Sequence, residues 1–393
     1  MLIVRSMLDL LFSIHSEIIN VLKKELYALV IIENFRESFK GGNMRMEINN
    51  VVEVGGGGKR NRIIDSYKGV LIALVVLGHV LEYSVSDWDN NIFQNFIWAV
   101  QMPGFMLVAG YFSFRKISTG KKLLEIYKKN MERYFIPFLS WFVLVNILLL
   151  GEYDRNIFKG LSILFNRVDV GLWFIWTVFV LSLITGLCNF IREKLNTPIK
   201  FFLAAGGVYG VAYGLLLGIA SLKSTNYIGI KYILYYGLFY GIGWLLRWAQ
   251  PFLNKKSEKF CEIVAAACIC IFLAVVFNVN LYLIEDNLVG ISLRFIAALT
   301  GNYVLYYIIK RYSILFEKAK MATIGLYTLE IYVTHMYTNN LFYGVANNKI
   351  FTVNGFMTFT ISLLCTSLCA VIIILTFKSI PIMNFLFYGK RKK

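Results

Sequence analysis

From residue 62 onward, the sequence returns repeatedly to apolar stretches about twenty residues long. This length matters because the hydrocarbon core of a bilayer is about 30 Å thick and a helix rises about 1.5 Å per residue. Charged residues make up 16% of the chain, whereas a water-soluble domain carries roughly a quarter. The pattern predicts an all-α, polytopic integral membrane helix bundle of about ten transmembrane helices. The predicted spans are residues 64–83, 92–113, 134–151, 171–191, 200–220, 226–247, 261–284, 288–309, 322–344 and 352–377.

The connections between the predicted spans alternate in charge. Residues 84–91 carry Asp87 and Asp89 and no base, whereas residues 114–133 carry seven Lys and Arg residues. Because Lys and Arg gather in cytoplasmic connections, the alternation predicts that both termini are cytoplasmic. The net charge of +17 is therefore distributed over loops, which argues against a nucleic-acid-binding surface. The other basic connections are residues 192–200, 247–259, 310–320 and the tail 390–393.

The first sixty-one residues have a different character from the predicted membrane domain, residues 62–393. Apolar residues between positions 8 and 33 recur at helical spacing, but charges such as Asp9 and Lys24 interrupt them. We expect an interfacial or unstructured extension there, outside the membrane domain. A Lys-Gly-Gly sequence at 40–42 can be encoded by a purine-rich stretch resembling a ribosome-binding site. Met44 or Met46 is therefore a candidate start of the native protein.

The cysteines and histidines do not suggest a metal centre. The six cysteines lie within or beside apolar stretches and form no CxxC pair, so we interpret them as small core residues. The three histidines lack ligand partners at usable spacing, and no metal site is expected.

Few ionisable residues fall inside the predicted spans. His79 lies in the first span, Arg294 in the eighth, and Glu330 and His335 in the ninth. Each costs several kcal/mol on insertion scales, which makes each a candidate functional residue. Glu82 follows His79 by three positions and shares its helical face, where a carboxylate can orient the imidazole.

The two histidines are predicted to lie at similar depth in the membrane. Helical rise places His79 about 16 Å from Lys68, and His335 about 22 Å from Lys320. Other interpretations stay open at this point. Each histidine could be a packing residue, and the interior charges of the eighth and ninth spans could neutralise each other or line a water-filled cavity.

The first span carries a spaced set of residues: Asp65, then Lys68 followed by Gly69, then His79 eleven positions after the lysine. This set resembles the first helix of the acyltransferase 3 family, and within it the branch called fucose 4-O-acetylase-like. The resemblance extends over residues 62–378 and agrees with ten helices. Further segments that resemble the family, in family order, are residues 101–105, 109–112, 133–138, 172–174 and 324–335.

Three positions depart from the family pattern. Lys68 stands where many members have Arg, which keeps the charge but removes a bidentate fork. Gln101 and Leu172 stand where a His often precedes Met-Pro and Trp-Phe. These departures put a second basic group near the site in doubt and leave the first-helix histidine in place.

The resemblance implies acyl transfer from a cytoplasmic acyl-CoA, with acetyl as the default, to a sugar hydroxyl. The acceptor would be a cell-envelope polysaccharide, an exopolysaccharide or a lipid-linked sugar. His79 would be the catalytic histidine, supported by Glu82, and whether it becomes transiently acylated is open. Lys68 and Arg133 would hold the phosphates of the donor by charge, unless they are ordinary inner-face anchors. The residues expected to line the acceptor or transfer cavity are Asp65, Arg294, Glu330 and His335.

Elementary chemistry supports the role of the first-helix histidine independently. A sugar hydroxyl is a poor nucleophile at neutral pH, and a positioned imidazole can remove its proton during attack on a thioester. Acyl-CoA would then be a substrate, and no permanently bound cofactor is expected. The other partners would be a glycan and the plasma membrane of a bacterium, with no nucleic acid.

Two other functions are compatible with the sequence. Interior His, Glu and Arg residues also serve as relays in transporters and flippases, although no inverted repeat with broken helices is visible. A non-catalytic scaffold in envelope-glycan assembly is the second alternative.

Overall fold

The computed structural model describes residues 51–52, 60–195, 198–339 and 348–391. The chain divides into two units, Met1–Arg60 and Asn61–Lys393. Most of the predicted N-terminal extension, including the candidate starts Met44 and Met46, lies outside the described residues, and its boundary stays a prediction.

The described residues of the second unit are almost entirely helical. Short 3-10 turns separate some of the helices, at Trp88–Asn90, Glu152–Arg155, Val168–Val170 and Tyr227–Gly229. At the N-terminal edge, the described residues include two short strands, β1 (Val51–Val52) and β2 (Arg60–Asn61). The helices are α1 (Arg62–Ser84), α2 (Ile92–Ser113), α3 (Gly120–Leu149), α4 (Ile157–Asn166), α5 (Trp173–Arg192), α6 (Pro198–Leu222), α7 (Ile230–Leu253), α8 (Glu258–Asn278), α9 (Leu288–Arg311), α10 (Ser313–Lys318), α11 (Met321–Ile324), α12 (Thr328–Asn339), α13 (Val353–Ser379) and α14 (Pro381–Tyr388).

Eight of the helices described are long and apolar enough to cross a membrane. The predicted polytopic helical membrane protein is thereby confirmed, and the count of ten stays a prediction. The predicted sixth and ninth spans correspond to α7 and α12, which fall outside this set of eight. The eight are α1, α2, α3, α5, the Ala205–Leu222 part of α6, α8, α9 and α13.

The peripheral helices expose apolar side chains. In α6, only 6% of the most apolar stretch is buried inside the protein. In α8 and in α13, 22% of the corresponding stretch is buried. Exposed side chains such as Leu215, Ile263 and Leu364 fit contact with lipid, because acyl chains are as apolar as they are.

Helix α3 is longer than the predicted span at 134–151. It begins at Gly120 as an amphipathic, lysine-rich helix and contains π-helical segments at Met131–Phe135 and Val143–Leu149. The first segment ends two residues before Pro137, whose ring disfavours the regular hydrogen-bond ladder. Five of the seven basic residues in this predicted connection therefore belong to the helix, and Arg115 and Lys116 stay in the loop before it.

The predicted span at 322–344 is interrupted. Helix α11 ends at Ile324 and α12 begins at Thr328, while residues 340–347 lie outside the described part of the chain. The cause is a close crossing with α1, since a Cβ on Gly325 would lie 1.8 Å from the Asp65 carbonyl oxygen. Hydropathy alone does not reveal this break.

Two further boundaries differ from the prediction. Helix α8 ends at Asn278 instead of 284, because Asn280 Oδ1 accepts bonds from the Tyr282 and Leu283 amides and starts a turn. After α13, the short helix α14 packs beside α3, where Trp141 Nε1 donates to the Phe387 carbonyl at 2.9 Å. The sequence had suggested only a basic tail there.

Candidate functional site

One helix, α1, carries four of the residues selected from the sequence. Asn61 caps its start by accepting bonds from the Ile63 and Ile64 amides. Asp65 and Lys68 follow in the first two turns, at the end of the bundle where the basic connections gather. His79 and Glu82 lie in the last two turns, at the opposite end, which the charge alternation predicts to be the outer one.

His79 is paired with the carboxylate three residues later. Its Nδ1 lies 3.0 Å from Glu82 Oε2, and their side chains are 26% and 36% exposed. A carboxylate accepts hydrogen bonds, so Nδ1 carries the proton and Nε2 keeps its lone pair. This is the tautomer that a general base requires, and the ring is accessible.

His335 of α12 lies beside His79, with 5.4 Å between the ring centroids. It is fully buried, and its Nδ1 donates to the Ile331 carbonyl at 2.8 Å. Its Nε2 therefore also bears a lone pair, and within the described residues it has no hydrogen-bond partner. The structure thus brings together the two histidines that helical rise placed at similar depth.

Two glutamines of α2 face the same part of α1. The Cβ position of Gly78, next to His79, is 3.6 Å from Gln94 Oε1 and 3.4 Å from Gln101 Oε1. Both side chains are buried. Sequence reasoning missed Gln94 and noted Gln101 only as a departure from a family histidine. The available signal was their spacing of seven, which places two amides on one face of an apolar helix.

An aromatic cluster stands at the outer end near Glu82. The Tyr282 ring lies 5.0 Å from Trp88 and 4.8 Å from Trp98 between centroids. Burial raises the pKa of Tyr282, and the negative charges of Glu82 and Asp89 raise it further. The phenol is therefore within electrostatic reach of the carboxylate that partners His79.

An inner cavity of about 220 Å³ lies at the other end of α1. Three cations line it: Lys68, Arg115 and Arg133. Lys68 Nζ is 2.7 Å from the buried carboxylate of Asp65, which fixes the ammonium at the cavity wall. The structure thus brings Lys68 and Arg133 to one cavity and pairs Asp65 with Lys68.

Three aromatic side chains connect the cavity wall with the histidine region. Phe105, Phe174 and Tyr332 are among the residues that line the cavity. The Phe174 ring is 5.8 Å from that of Phe105 and 5.3 Å from that of Tyr332. Tyr332 also lies 6.0 Å from His335 between ring centroids. Tyr332 therefore belongs both to the cavity wall and to the surroundings of His335, and we call the three contacting rings the aromatic layer.

Glu330 and Arg294 have partners other than each other. Glu330 is fully buried and pairs with Lys390 at 2.5 Å and Lys378 at 4.0 Å. Arg294 pairs with Asp286 and donates to the Leu281 carbonyl at 2.8 Å. Glu330 therefore lies against the C-terminal segment, and Arg294 lies against the turn at 279–287. Neither residue lines the inner cavity.

Comparison with known proteins adds a family model, described as an acyltransferase domain, that matches residues 61–376. The nodulation protein NolL of Sinorhizobium fredii is 28% identical over 229 residues, 55% of this chain and 58% of that protein. The nodulation protein NolL of Mesorhizobium japonicum is 25% identical over 249 residues, 59% of this chain and 61% of that protein. The match thus spans about three fifths of each nodulation protein.

The glucans biosynthesis protein C of Escherichia coli matches over a longer range. It is 24% identical over 376 residues, which cover 84% of this chain and 95% of that protein. No solved structure matches the chain.

Proposed function

The chain belongs to the acyltransferase family whose domain model matches residues 61–376, and we propose that it is a multi-pass membrane O-acyltransferase. The donor is acyl-CoA, with acetyl as the default, and the acceptor is a hydroxyl of an envelope glycan or lipid-linked sugar. The observation that carries the proposal is the accessible His79, hydrogen-bonded to Glu82 on the helix whose inner end borders a cationic cavity.

The inner cavity suits an anionic donor. Lys68, Arg115 and Arg133 place three cationic side chains at the side of the basic connections, of which Lys68 is paired with Asp65. Coenzyme A carries phosphates, which such groups bind by charge-assisted hydrogen bonds. The thioester arm would reach toward the aromatic layer and the histidines beyond it, and no permanently bound cofactor is needed.

His79 acts as the general base in this mechanism. Its Nε2 accepts the proton of the sugar hydroxyl as the oxygen attacks the thioester carbonyl, which forms the C–O bond. The C–S bond then breaks, and the thiolate of coenzyme A takes the proton from the imidazolium. Glu82 stabilises the imidazolium while it exists, as an orienting carboxylate does.

The acceptor is assigned by class. One relative is named as a glucans biosynthesis protein, which favours a glycan. The relatives come from bacteria, which favours a bacterial plasma membrane and an envelope polysaccharide, exopolysaccharide or lipid-linked sugar.

The proposal is tested by mass spectrometry of envelope glycans before and after mild alkali. The cells to compare carry the wild-type protein, His79→Ala, or no protein. We expect alkali-labile acetyl groups in the first alone. Equal acetylation in all three would overturn the proposal. Normal acetylation with His79→Ala would indicate a scaffold, and sugar movement without consumption of acetyl-CoA would indicate a transporter.

A further inference from the structure

The outer half of the bundle holds buried polar atoms that lack hydrogen-bond partners. Among the described residues they include Gln94 Oε1, Gln101 Oε1, His335 Nε2 and both amide atoms of Asn339. These side chains are 3%, 7%, 0% and 1% exposed. Buried polar atoms are nearly always bonded, so unbonded ones call for a missing partner.

These side chains border one stretch of α1, around Gly78 and His79. The two glutamine oxygens lie within 3.6 Å of the Cβ position of Gly78, the chain neighbour of His79. The His335 ring lies 5.4 Å from the His79 ring. Asn339 follows His335 by four positions, one turn further along α12. The four side chains therefore come from two helices that flank one part of α1.

The chemistry of these atoms defines what they can bind. Four of them are acceptors that need donors, namely the three amide oxygens and the imidazole nitrogen, whereas Asn339 Nδ2 is a donor. All four side chains are uncharged in the tautomers assigned above. A hydroxyl both donates and accepts, and a neutral ligand avoids the cost of a charge at membrane depth. The complementary ligand is a neutral molecule with several adjacent hydroxyls.

We propose that Gln94, Gln101, His335 and Asn339 form the acceptor subsite, which binds neighbouring hydroxyls of an uncharged sugar. The subsite presents one hydroxyl to His79 Nε2 while the amides hold the others. This inference rests on the proposed function for the identity of the reaction, and on the unbonded atoms for the ligand class.

The test uses shape-preserving variants in the full-length protein reconstituted in lipid nanodiscs. Gln94→Met and Gln101→Met remove the amide and keep the side-chain length. Gln101→His keeps an acceptor nitrogen. Asn146→Leu is the matched control, since Asn146 is a buried amide on α3 that donates to the Val170 carbonyl at 3.4 Å. The probe is the unacetylated envelope glycan from cells that lack the protein.

We expect each methionine variant to raise the KM for the acceptor about tenfold, and the Kd of fluorescently labelled glycan by the same factor. The reason is that a sugar hydroxyl loses the amide that would bind it. The KM for acetyl-CoA stays within about twofold, Asn146→Leu resembles wild type, and Gln101→His retains more affinity than Gln101→Met. Glycan binding that is unchanged in both methionine variants would overturn the subsite. Displacement of the bound glycan by ammonium ions, but not by a neutral sugar, would also overturn it.

Binding and catalysis separate this inference from the proposed function. If wild-type protein fails to acetylate the glycan yet binds it, and the methionine variants lose that binding, the subsite stands and the proposed reaction falls. If acetylation depends on His79 but the methionine variants bind and react normally, the reaction stands and the subsite falls.

Discussion

At the residue scale, the His79–Glu82 pair allows a sharp test of the proposed base. We expect Glu82→Gln to lower kcat and leave the KM for acetyl-CoA unchanged, because the imidazolium loses its stabilising charge. Neutralising the carboxylate of a buried triad costs about 10⁴-fold in kcat. Glu82 is 36% exposed, so water screens its charge and we expect kcat to fall about ten- to hundredfold here.

The control for this prediction is Glu285→Gln, at another exposed acid, in the outer turn. Equal rates in both variants would contradict the role of Glu82.

Lys68 is the residue for which the donor assignment is most testable. We expect Lys68→Ala to raise the KM for acetyl-CoA about tenfold, because it removes one cation from the cavity wall. Lys68→Arg should recover most of the affinity. Lys231→Ala removes an exposed lysine at the start of α7 and should change nothing. If Lys68→Ala and Lys231→Ala have the same KM for acetyl-CoA, Lys68 does not bind the donor and only anchors the helix at the membrane surface.

The residues that sequence reasoning found share a local signal. His79 and Glu82 are three positions apart on one helix, and Lys68 and Arg133 belong to the basic inner ends of spans. Residues that depend on distant partners gave no such signal. The bond between Glu330 and Lys390 joins positions sixty apart, so no spacing along one helix reveals it.

At the element scale, the crossing of α1 with the α11–α12 turn should control where His335 lies. A Cβ on Gly325 would meet the Asp65 carbonyl at 1.8 Å, and backbone cannot move aside cheaply. We expect Gly325→Ala to lower the free energy of unfolding by about 1–3 kcal/mol and to reduce activity by displacing α12. Thermal unfolding in detergent and acetyl transfer measure the two effects.

The control for this prediction is Gly210→Ala on α6. A Cβ at Gly210 meets nothing within 4 Å, and alanine has the higher helix propensity. Its stability should be equal to wild type or slightly greater. Equal stability of Gly325→Ala and Gly210→Ala would show that the crossing is wider than the structure has it.

Helix α14 contributes the second element-scale prediction. Lys390, just after it, neutralises the buried Glu330, and Lys378 at 4.0 Å is the remaining ion pair that the structure describes. We expect Lys390→Ala to cost about 1–3 kcal/mol, below the full cost of breaking a fully buried pair because Lys390 is 43% exposed.

Two comparisons make the Lys390 result interpretable. Arg391→Ala breaks an exposed bond to Glu132 and should cost at most about 1 kcal/mol. Adding Glu330→Gln to Lys390→Ala removes the uncompensated charge and should restore part of the stability. If Arg391→Ala is as harmful as Lys390→Ala, then burial of Glu330 is not what makes the tail important.

At the scale of the whole molecule, hydropathy was sufficient for the class of fold, and the orientation drawn from charge alternation stays a prediction. Membrane thickness fixes the length of an apolar helix, so the spans were predicted to within a few residues in most cases. The exceptions are the places where a specific contact sets a boundary. The crossing at Gly325 breaks one span, and the turn at Asn280 shortens another. Such contacts depend on which helices become neighbours, and the pattern of one chain does not determine this.

The molecule also has two different ends, which gives the last prediction. The inner end offers the cavity with three cations, and the outer end offers Glu82 and the aromatic cluster around Tyr282.

Acetyl-CoA is highly charged and does not cross a bilayer, so it should act only from the side of the basic connections. In sealed inverted vesicles, labelled acetyl-CoA should acetylate the glycan, whereas sealed right-side-out vesicles should be inactive until they are permeabilised. Raising the ionic strength should raise the KM for acetyl-CoA, because salt screens the attraction between the phosphates and the cavity cations. Equal labelling of sealed vesicles of both orientations would show that the cationic cavity is not the entrance for the donor.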